Sequence, residues 1–309
     1  YPHNNVQIPD VRLVGEGFKK NELSDPVNEG NFNFDKTKAY QADRSAFAIP
    51  EVQNGEDAGG DSWRYELTFD VDEVMRICKE NNCTPAILMT ILMQKGVKKN
   101  NPNAKEQILC SMSCDWRDAI GLPNTFRNCV TSIYLPYGDK EEDMELKGIG
   151  SHYRELISKQ KETNSARCSA YTMKYMSDML DSLGSYEKKV ETVNSFISRP
   201  INSFICSYTG KANMGDAEKY IDSIHVYSSG TKGISLQMMS VGETFTVDFL
   251  QNFEDRKYVD AFLEEAAKLD LKAECSEVIK YRTPKDHAKN TNFMISLKNT
   301  LLNILRGHL

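Results

Sequence analysis

Histidine is scarce in this sequence, and two familiar catalytic motifs are missing from it. Among its 309 residues there are five histidines, and no two stand close enough along the chain for a local metal-binding motif. This spacing disfavours zinc catalysis, and we expect no metal site. The sequence also lacks a Gly-x-Ser-x-Gly turn, so the nucleophile signal of an α/β-type serine hydrolase is absent.

Long apolar runs and an excess of positive charge are lacking as well. No apolar run reaches the roughly 18 residues of a membrane helix, so we expect no membrane partner. A net charge of -6 and a pI near 5.5 give no basic field for a phosphate backbone, and we expect no nucleic acid partner. The first residues lack both a methionine and the order of a signal peptide, so we expect the natural start to lie upstream.

No Cys-x-x-Cys pair occurs among the eight cysteines, which stand mostly within apolar runs. Reduced thiols in the core of a cytosolic protein have this distribution. The sequence therefore predicts a cytoplasmic protein. Of the histidines, His225 lies in a strand-like run and is expected to be structural, and His152 lies on a charged helix whose exposed face explains it.

Regular periodicity begins at Trp63. Residues 1–60 are rich in Asn, Asp, Gly and Pro, which predicts a linker or crossover segment. The alternation over 63–69 predicts a strand, and Asp70 opens a capping box that begins a helix. Thr84 and Pro85 supply the N-cap and first-turn proline of a second, very apolar helix.

The rest of the chain predicts more strands and helices. Strands are predicted over 107–116, 128–137, 203–208, 221–227, 234–239 and 244–250, the last two forming a hairpin. Helical periodicity covers 141–197 in three pieces broken near Thr163 and Gly184, and a further helix covers 254–269. This order predicts an α/β protein with a mixed sheet that is not simply doubly wound. We divide the chain into a linker (1–60), a main subdomain (61–282) and a helical tail (283–309).

Two of the predicted strands carry a resemblance to a known family. Residues 108–117 read Ile-Leu-Cys-Ser-Met-Ser-Cys-Asp-Trp-Arg, and residues 127–137, beyond a short loop, read Arg-Asn-Cys-Val-Thr-Ser-Ile-Tyr-Leu-Pro-Tyr. This order resembles condensation domains and alcohol acetyltransferases of the chloramphenicol-acetyltransferase-like superfamily, in which a strand ending in Asp-x-Arg precedes a Gly-Asn strand. Segments 203–210 and 245–249, and the helix near Tyr258, resemble the closing strands and last helix of that family.

The resemblance implies a fold and an activity. Family members have two similar halves with the reaction at their seam, and the main subdomain here resembles the second half, a two-layer sandwich with a mixed sheet and helices. A His-His-x-x-x-Asp-Gly motif in the first half supplies the histidine that deprotonates a hydroxyl or amine acceptor, which then attacks a thioester on coenzyme A or on a carrier-protein arm. No His-His pair occurs in this sequence.

The resemblance thus implies an acyltransferase, transferring an acetyl or related acyl group, whose catalytic residues lie outside this chain. The implied partners are a thioester donor (acyl-coenzyme A or an acyl carrier protein), a small-molecule acceptor and a missing N-terminal half, absent through truncation or processing. No bound cofactor is implied. The alternative is a non-catalytic binding or scaffold module that kept the condensation-like fold and lost the base.

Supporting residues can be named from the same resemblance. Arg117 corresponds to an arginine that pairs with the aspartate of the motif and holds the active-site loop; the less favoured alternative is a surface arginine that closes a strand. Asp115 is expected to fix the loop as a hydrogen-bond acceptor.

Substrate-binding residues are implied as well. Asn128 matches the Asn of the Gly-Asn step, with Arg127 in place of the glycine. Ser207 and Tyr208 fall on the strand that lines the substrate channel in the family, although packing would explain Tyr208 equally well.

Overall fold

The computed structural model describes residues 22–54, 62–197, 200–228 and 233–282. The predicted tail (283–309) and the first third of the predicted linker (1–21) lie outside the described residues. Within the ranges given, the helices lack the combination of length and apolar character that crossing a bilayer requires.

The strands of the described residues form one mixed sheet in the order β3-β2-β4-β5-β6-β1-β7, and β8 also pairs with β1. In chain order they are β1 (Ser62–Asp70), β2 (Cys110–Asp115), β3 (Val130–Leu135), β4 (Phe204–Lys211), β5 (Ile234–Val241), β6 (Thr244–Gln251), β7 (Ala273–Cys275) and β8 (Ile279–Arg282). Strand β4 runs parallel to β2 and β5, and the other pairs are antiparallel. The expected α/β class with a mixed sheet and helices is confirmed.

Eight α-helices lie among the described residues. They are α1 (Pro50–Asn54), α2 (Val71–Glu80), α3 (Pro85–Asn100), α4 (Asp139–Glu142), α5 (Leu146–Lys161), α6 (Thr163–Ser182), α7 (Tyr186–Ile197) and α8 (Lys257–Ala267). Both predicted N-caps are confirmed: the Asp70 carboxylate accepts a hydrogen bond from the Glu73 N–H, and the Thr84 hydroxyl accepts one from the Ile87 N–H. The predicted breaks near Thr163 and Gly184 are confirmed as well.

One face of the sheet packs against helices and forms the core. Alternate β1 residues point into it because side chains in a strand alternate between faces, and Tyr65, Leu67 and Phe69 are all buried. Helix α3 is buried on nearly every side, as its apolar sequence predicts. The Phe262 ring of α8 lies edge-on to Phe69.

The opposite face of the sheet is polar. On β2, β3 and β4 this face carries several small hydroxyl-bearing side chains beside the larger Val130, Tyr134 and Ile205, and the hydroxyls belong to Ser111, Ser113, Ser132, Ser207 and Thr209. The Ser111 hydroxyl donates to the Ser132 hydroxyl at 2.8 Å. This surface, which we call the polar face, carries every ionisable cluster described below.

The prediction of a strand over 221–227 is wrong. Residues 221–228 form no ladder and instead cross the polar face beside β6. Backbone groups of this segment bond to side chains, since the Val226 N–H donates to the Asp248 carboxylate at 2.6 Å and the Thr246 hydroxyl donates to the Ile224 carbonyl at 2.7 Å. Side-chain bonds of this kind compete with ladder formation. Both long edges of β6 are already paired with β1 and β5, so the segment could not have joined there.

A buried polar network ties α3 and α5 to the ends of β2 and β3. The side-chain amide of Gln94 donates to the carbonyls of Ile108 at 3.2 Å and Leu135 at 2.8 Å. The Tyr153 hydroxyl lies 2.8 Å from Gln94 Oε1 and 2.6 Å from the Pro136 carbonyl. Burial raises the pKa of Tyr153 well above its ordinary value, so the hydroxyl keeps its proton and remains a donor.

We expect Tyr153→Phe to lower the free energy of unfolding by about 1–2 kcal/mol, because two buried acceptors then lose the one hydroxyl donor that they share, while the ring still fills its space. Urea unfolding followed by circular dichroism measures this. The matched change Tyr171→Phe alters an exposed ring on α6 and should shift the midpoint by much less. Equal effects of the two changes would contradict the assigned role of the network.

Candidate functional site: a groove between the polar face and helix α6

A cavity of about 390 Å³ lies at the carboxyl end of β2. Its walls are the end of β2, strand β3, the segment 40–44 and the facing turns of α5 and α6. Its volume falls within the usual range for small-molecule sites. A second cavity of about 360 Å³ shares Arg44, Ser132, Tyr134 and Thr172 with the first and reaches Ser111 and Ile205. Because they share walls, the two cavities form one groove along the polar face.

Local hydrogen bonds shape the walls of this groove. The Gln160 side chain of α5 both accepts from the Tyr134 N–H and donates to the Tyr134 carbonyl, at 2.9 and 2.8 Å. These two bonds satisfy backbone groups on the free edge of β3, where a strand partner would otherwise pair. On the other side, the Tyr40 N–H donates to the Ser165 hydroxyl at 2.8 Å and holds segment 40–44 against α6.

Arg117 and Asp115, the two supporting residues predicted from the sequence, both line the groove. The Arg117 guanidinium donates through Nε to the Thr125 carbonyl and through Nη2 to the Arg127 carbonyl, each at 2.9 Å. Its Nη1 lies 2.9 Å from Asp115 Oδ2, and Asp115 Oδ1 accepts from the Arg117 N–H at 3.1 Å. Arg117 therefore fixes the loop between β2 and β3. Asp115 in turn holds Arg117, through both the backbone N–H and the guanidinium of that residue.

The predicted substrate-binding residues lie elsewhere. Asn128 is exposed, and its side-chain oxygen accepts from the Val130 N–H at 3.0 Å, which fixes the start of β3. Ser207 and Tyr208 are neighbours on β4 and so point to opposite faces. Tyr208 points to the core side, where its ring lies 5.6 Å from that of Phe245. None of the three lines either cavity of the groove, and their role in substrate binding stays a prediction.

Charge in the larger cavity is mixed, with a small excess of cations. Arg44, Arg117 and Lys161 face Asp115 and Asp118 around its rim. The Arg44 guanidinium stacks on the Tyr134 ring, with Cζ 4.7 Å from the ring centroid. Such an arrangement can hold an anionic group beside an aromatic surface. Sequence reasoning missed Arg44 because segment 40–44 has no periodicity that would place it next to β3.

Two thiols also line this cavity, from Cys114 on β2 and Cys168 on α6. Burial raises the pKa of Cys114, which keeps this thiol protonated at neutral pH. A protonated thiol is a poor nucleophile. In the part of the chain that the structure describes, no histidine lines either cavity.

The sequence matches no protein-family model and no curated protein. It is similar in structure to a condensation domain of the enacyloxin polyketide synthase (8% identity, TM-score 0.45, covering 69% of this chain and 42% of that one). It is also similar to TRI101 from F. sporotrichioides in complex with coenzyme A and T-2 (11% identity, TM-score 0.45, covering 78% and 57%). A wax ester synthase/diacylglycerol acyltransferase from Marinobacter aquaeolei gives 9% identity, a TM-score of 0.40 and coverage of 69% and 50%.

These solved structures belong to the class that the sequence resembles, namely condensation domains and chloramphenicol-acetyltransferase-like acyltransferases. The chain spans about half the length of the solved chains it matches. At these identities and TM-scores the likeness assigns no activity.

Proposed function

We propose that this chain is the C-terminal part of an acyltransferase that moves an acyl group, specifically acetyl, from a thioester donor to an alcohol or amine. The general-base histidine comes from polypeptide outside this chain. The donor is acyl-coenzyme A or an acyl carrier protein. One observation carries the proposal: an open groove on the polar face, bounded by a strand pair whose connecting loop is braced by Arg117.

The composition of the groove supports a thioester donor. The pantetheine arm shared by coenzyme A and carrier proteins is a long chain with amide groups, and it ends near phosphate. Hydroxyls of Ser111, Ser132 and Thr172 line the groove and can bond amides, while the excess of cations at one end suits an anionic group. The solved TRI101 structure contains coenzyme A, but the proposal rests on the groove and not on that likeness.

Arg117 has capacity left for an external partner. A guanidinium has five N–H groups, and the described contacts of Arg117 use three of them. The remaining two can pair with a carboxylate on the segment that carries the base, as the family resemblance implies. Arg117 thereby positions the base without touching the reacting atoms, and the base abstracts the acceptor proton as the acceptor attacks the thioester carbonyl.

The cysteines support a reducing compartment for this reaction. All eight lie in described residues, and all are free thiols. Cytosolic proteins keep their thiols in this state, so we propose a cytoplasmic location.

The test is to produce this chain together with its natural upstream coding sequence and to measure the released donor thiol by chromatography, as free coenzyme A or as deacetylated carrier protein. Acetyl-coenzyme A, or an acetylated carrier protein, is supplied with a panel of alcohols and amines. We expect acetyl transfer by the extended protein and none by this chain alone. Chromatographic detection is needed because thiol-reactive dyes would also report the eight free cysteines.

A folded extended protein that transfers no acyl group from either donor, and carries no His-His-x-x-x-Asp-Gly motif, would contradict the proposal. It would favour the alternative, a non-catalytic module with the same fold. Replacing the second histidine of such a motif by alanine provides the matched inactive control.

A further inference from the structure

A second group of ionisable side chains lies on the polar face, away from the groove. Glu66 on β1 and Asp248 on β6 are direct cross-strand partners, and both point to this face. His225, in the segment that crosses the face, lies against both. Strand β5 separates this group, which we call the Glu66–His225–Asp248 cluster, from β4, the nearest strand that lines the groove.

The two carboxylates of the cluster carry more negative charge than the neighbouring groups neutralise, so a cation would stabilise it. Like charges directly opposite each other in a sheet are destabilising, and the Asp248 side chain is 0% exposed. Buried carboxylates are found paired or bound to metals because desolvation otherwise costs too much. Arg64 supplies one positive charge, with Nη2 2.6 Å from Glu66 Oε1. Two carboxylates and one guanidinium leave one negative charge when the imidazole is neutral.

Asp248 fixes the imidazole in one orientation. His225 Nδ1 lies 2.9 Å from Asp248 Oδ1, and Asp248 Oδ2 accepts from the Val226 N–H. An ionised carboxylate can only accept, so Nδ1 carries the proton and the neutral ring has its lone pair on Nε2. That atom lies 3.9 Å from Glu66 Oε2 and 3.2 Å from the Ser223 hydroxyl.

We propose that Glu66 Oε2 and His225 Nε2 bind a divalent cation of the zinc class, with Asp248 holding the imidazole and water completing the coordination. Two metal–ligand bonds of about 2.0–2.2 Å each can span the 3.9 Å between Glu66 Oε2 and His225 Nε2. A metal-bound histidine usually donates its other N–H to a carboxylate, as His225 does to Asp248. Imidazole with carboxylate is a ligand set that suits zinc.

Neighbouring groups limit this site to modest affinity and leave it accessible. Arg64 occupies only Oε1 of Glu66 and leaves Oε2 for the ion, while its guanidinium stacks on the Tyr227 ring with Cζ 3.9 Å from the centroid. Ser223 is exposed, so its hydroxyl, 3.2 Å from Nε2, can turn to solvent and leave the Nε2 lone pair to the ion. With two protein ligands and a guanidinium nearby, we expect micromolar rather than nanomolar binding. The ion would pin segment 221–228 to the sheet.

The test uses the full chain and Zn²⁺ alone, titrated by calorimetry. We expect one site, weakened at least about tenfold by His225→Ala and by Glu66→Gln, and about 10–100-fold by Asp248→Asn. His152→Ala is the matched control, because His152 also has a carboxylate partner, Glu141 at 3.4 Å, but among the described residues it belongs to no group of three possible metal ligands. Its affinity should equal that of the unchanged chain.

A titration with Co²⁺ in place of Zn²⁺ shows whether the ion binds at this site or at cysteines. Thiolate ligands give bound Co²⁺ intense charge-transfer absorption bands, whereas nitrogen and oxygen ligands do not. No binding by the folded chain, thiolate bands at one equivalent, or unchanged affinity in Glu66→Gln would each overturn the proposal. Far-UV circular dichroism establishes that each variant is folded, and Glu66→Gln keeps the shape of the side chain should His225→Ala fail to fold.

Discussion

Replacing Gly150 by alanine is expected to lower the free energy of unfolding by about 3 kcal/mol, near the upper end for overpacking. Gly150 lies on the buried side of α5, where the helix meets the turn between α2 and α3. A Cβ at this position would lie closer than 3.0 Å to the Asn81 carbonyl oxygen and 3.1 Å from Cys83 Cβ. The obstacle is backbone, so no side-chain rotation can relieve it.

The turn that Gly150 meets is held in place from several directions. The Cys83 N–H donates to the Cys78 carbonyl at 2.9 Å, and the Asn82 side-chain amide donates to the Ser151 hydroxyl at 2.9 Å. Asn82 itself has a φ of +49°, a conformation that leaves the backbone little freedom to adjust. Helix α5 would therefore have to move outward and open the core around Tyr153.

Gly148, two residues earlier on the same helix, provides the control. It is exposed, and a Cβ there would lie 3.6 Å from Met144 Cβ, an ordinary contact. We expect Gly148→Ala to stabilise the protein by about 0.5–1 kcal/mol, since alanine favours helix over glycine. Urea unfolding of both variants measures the difference. Opposite signs support the packing described here, and equal effects would contradict it.

Local signals in the sequence predicted most of the regular elements. The helix starts at Asp70 and Thr84 were predictable, because an N-cap side chain bonds to backbone groups of the same helical turn. The helix breaks near Thr163 and Gly184 and the hairpin of β5 and β6 rest on equally local patterns. Strand β7 escaped notice because three residues carry no periodicity.

Nonlocal contacts account for what the sequence could not predict. Residues 221–227 have a strand-like composition, but Thr246 and Asp248 on β6 capture their backbone. The Glu66–His225–Asp248 cluster joins three segments far apart in the chain, so no local spacing of ligands could reveal it. Arg44 enters the groove from a segment without a pattern.

The groove itself was predictable only in part. Asp115 and Arg117 were named from an Asp-x-Arg resemblance, and both line it. The partners of Arg117 are backbone carbonyls, whose positions depend on the folding of the loop and not on residue type. Ser207 and Tyr208 were grouped as channel residues, yet strand alternation places them on opposite faces, so one of the two at most can line a common channel.

Arg117→Gln should both loosen the β2–β3 loop and impair acyl transfer in the extended protein. The change removes the donors to the Thr125 and Arg127 carbonyls, and Thr125 is buried, with 4% of its surface exposed. We expect a loss of about 2–3 kcal/mol in the free energy of unfolding, mostly from carbonyls left without a donor. The ion pair contributes less, because the Asp115 side chain is 57% exposed.

Arg117→Lys separates the role of charge from that of geometry. A lysine keeps the charge but cannot reproduce the planar fork that reaches two carbonyls and a carboxylate at once. We therefore expect Arg117→Lys to behave like Arg117→Gln. Arg127→Gln is the matched control, because Arg127 lies exposed at the other end of the loop and contributes its backbone carbonyl, which the change leaves intact.

In the extended protein, a base displaced by even an ångström can cost on the order of a hundredfold in rate. The expected signature of Arg117→Gln is a fall in kcat with little change in the KM for acetyl-coenzyme A, measured well below the unfolding midpoint. A purely structural arginine would lower stability and leave kcat of the folded fraction unchanged. That result, or full activity in Arg117→Lys, would contradict a positioning role, because only the guanidinium fork can hold the loop and an external carboxylate together.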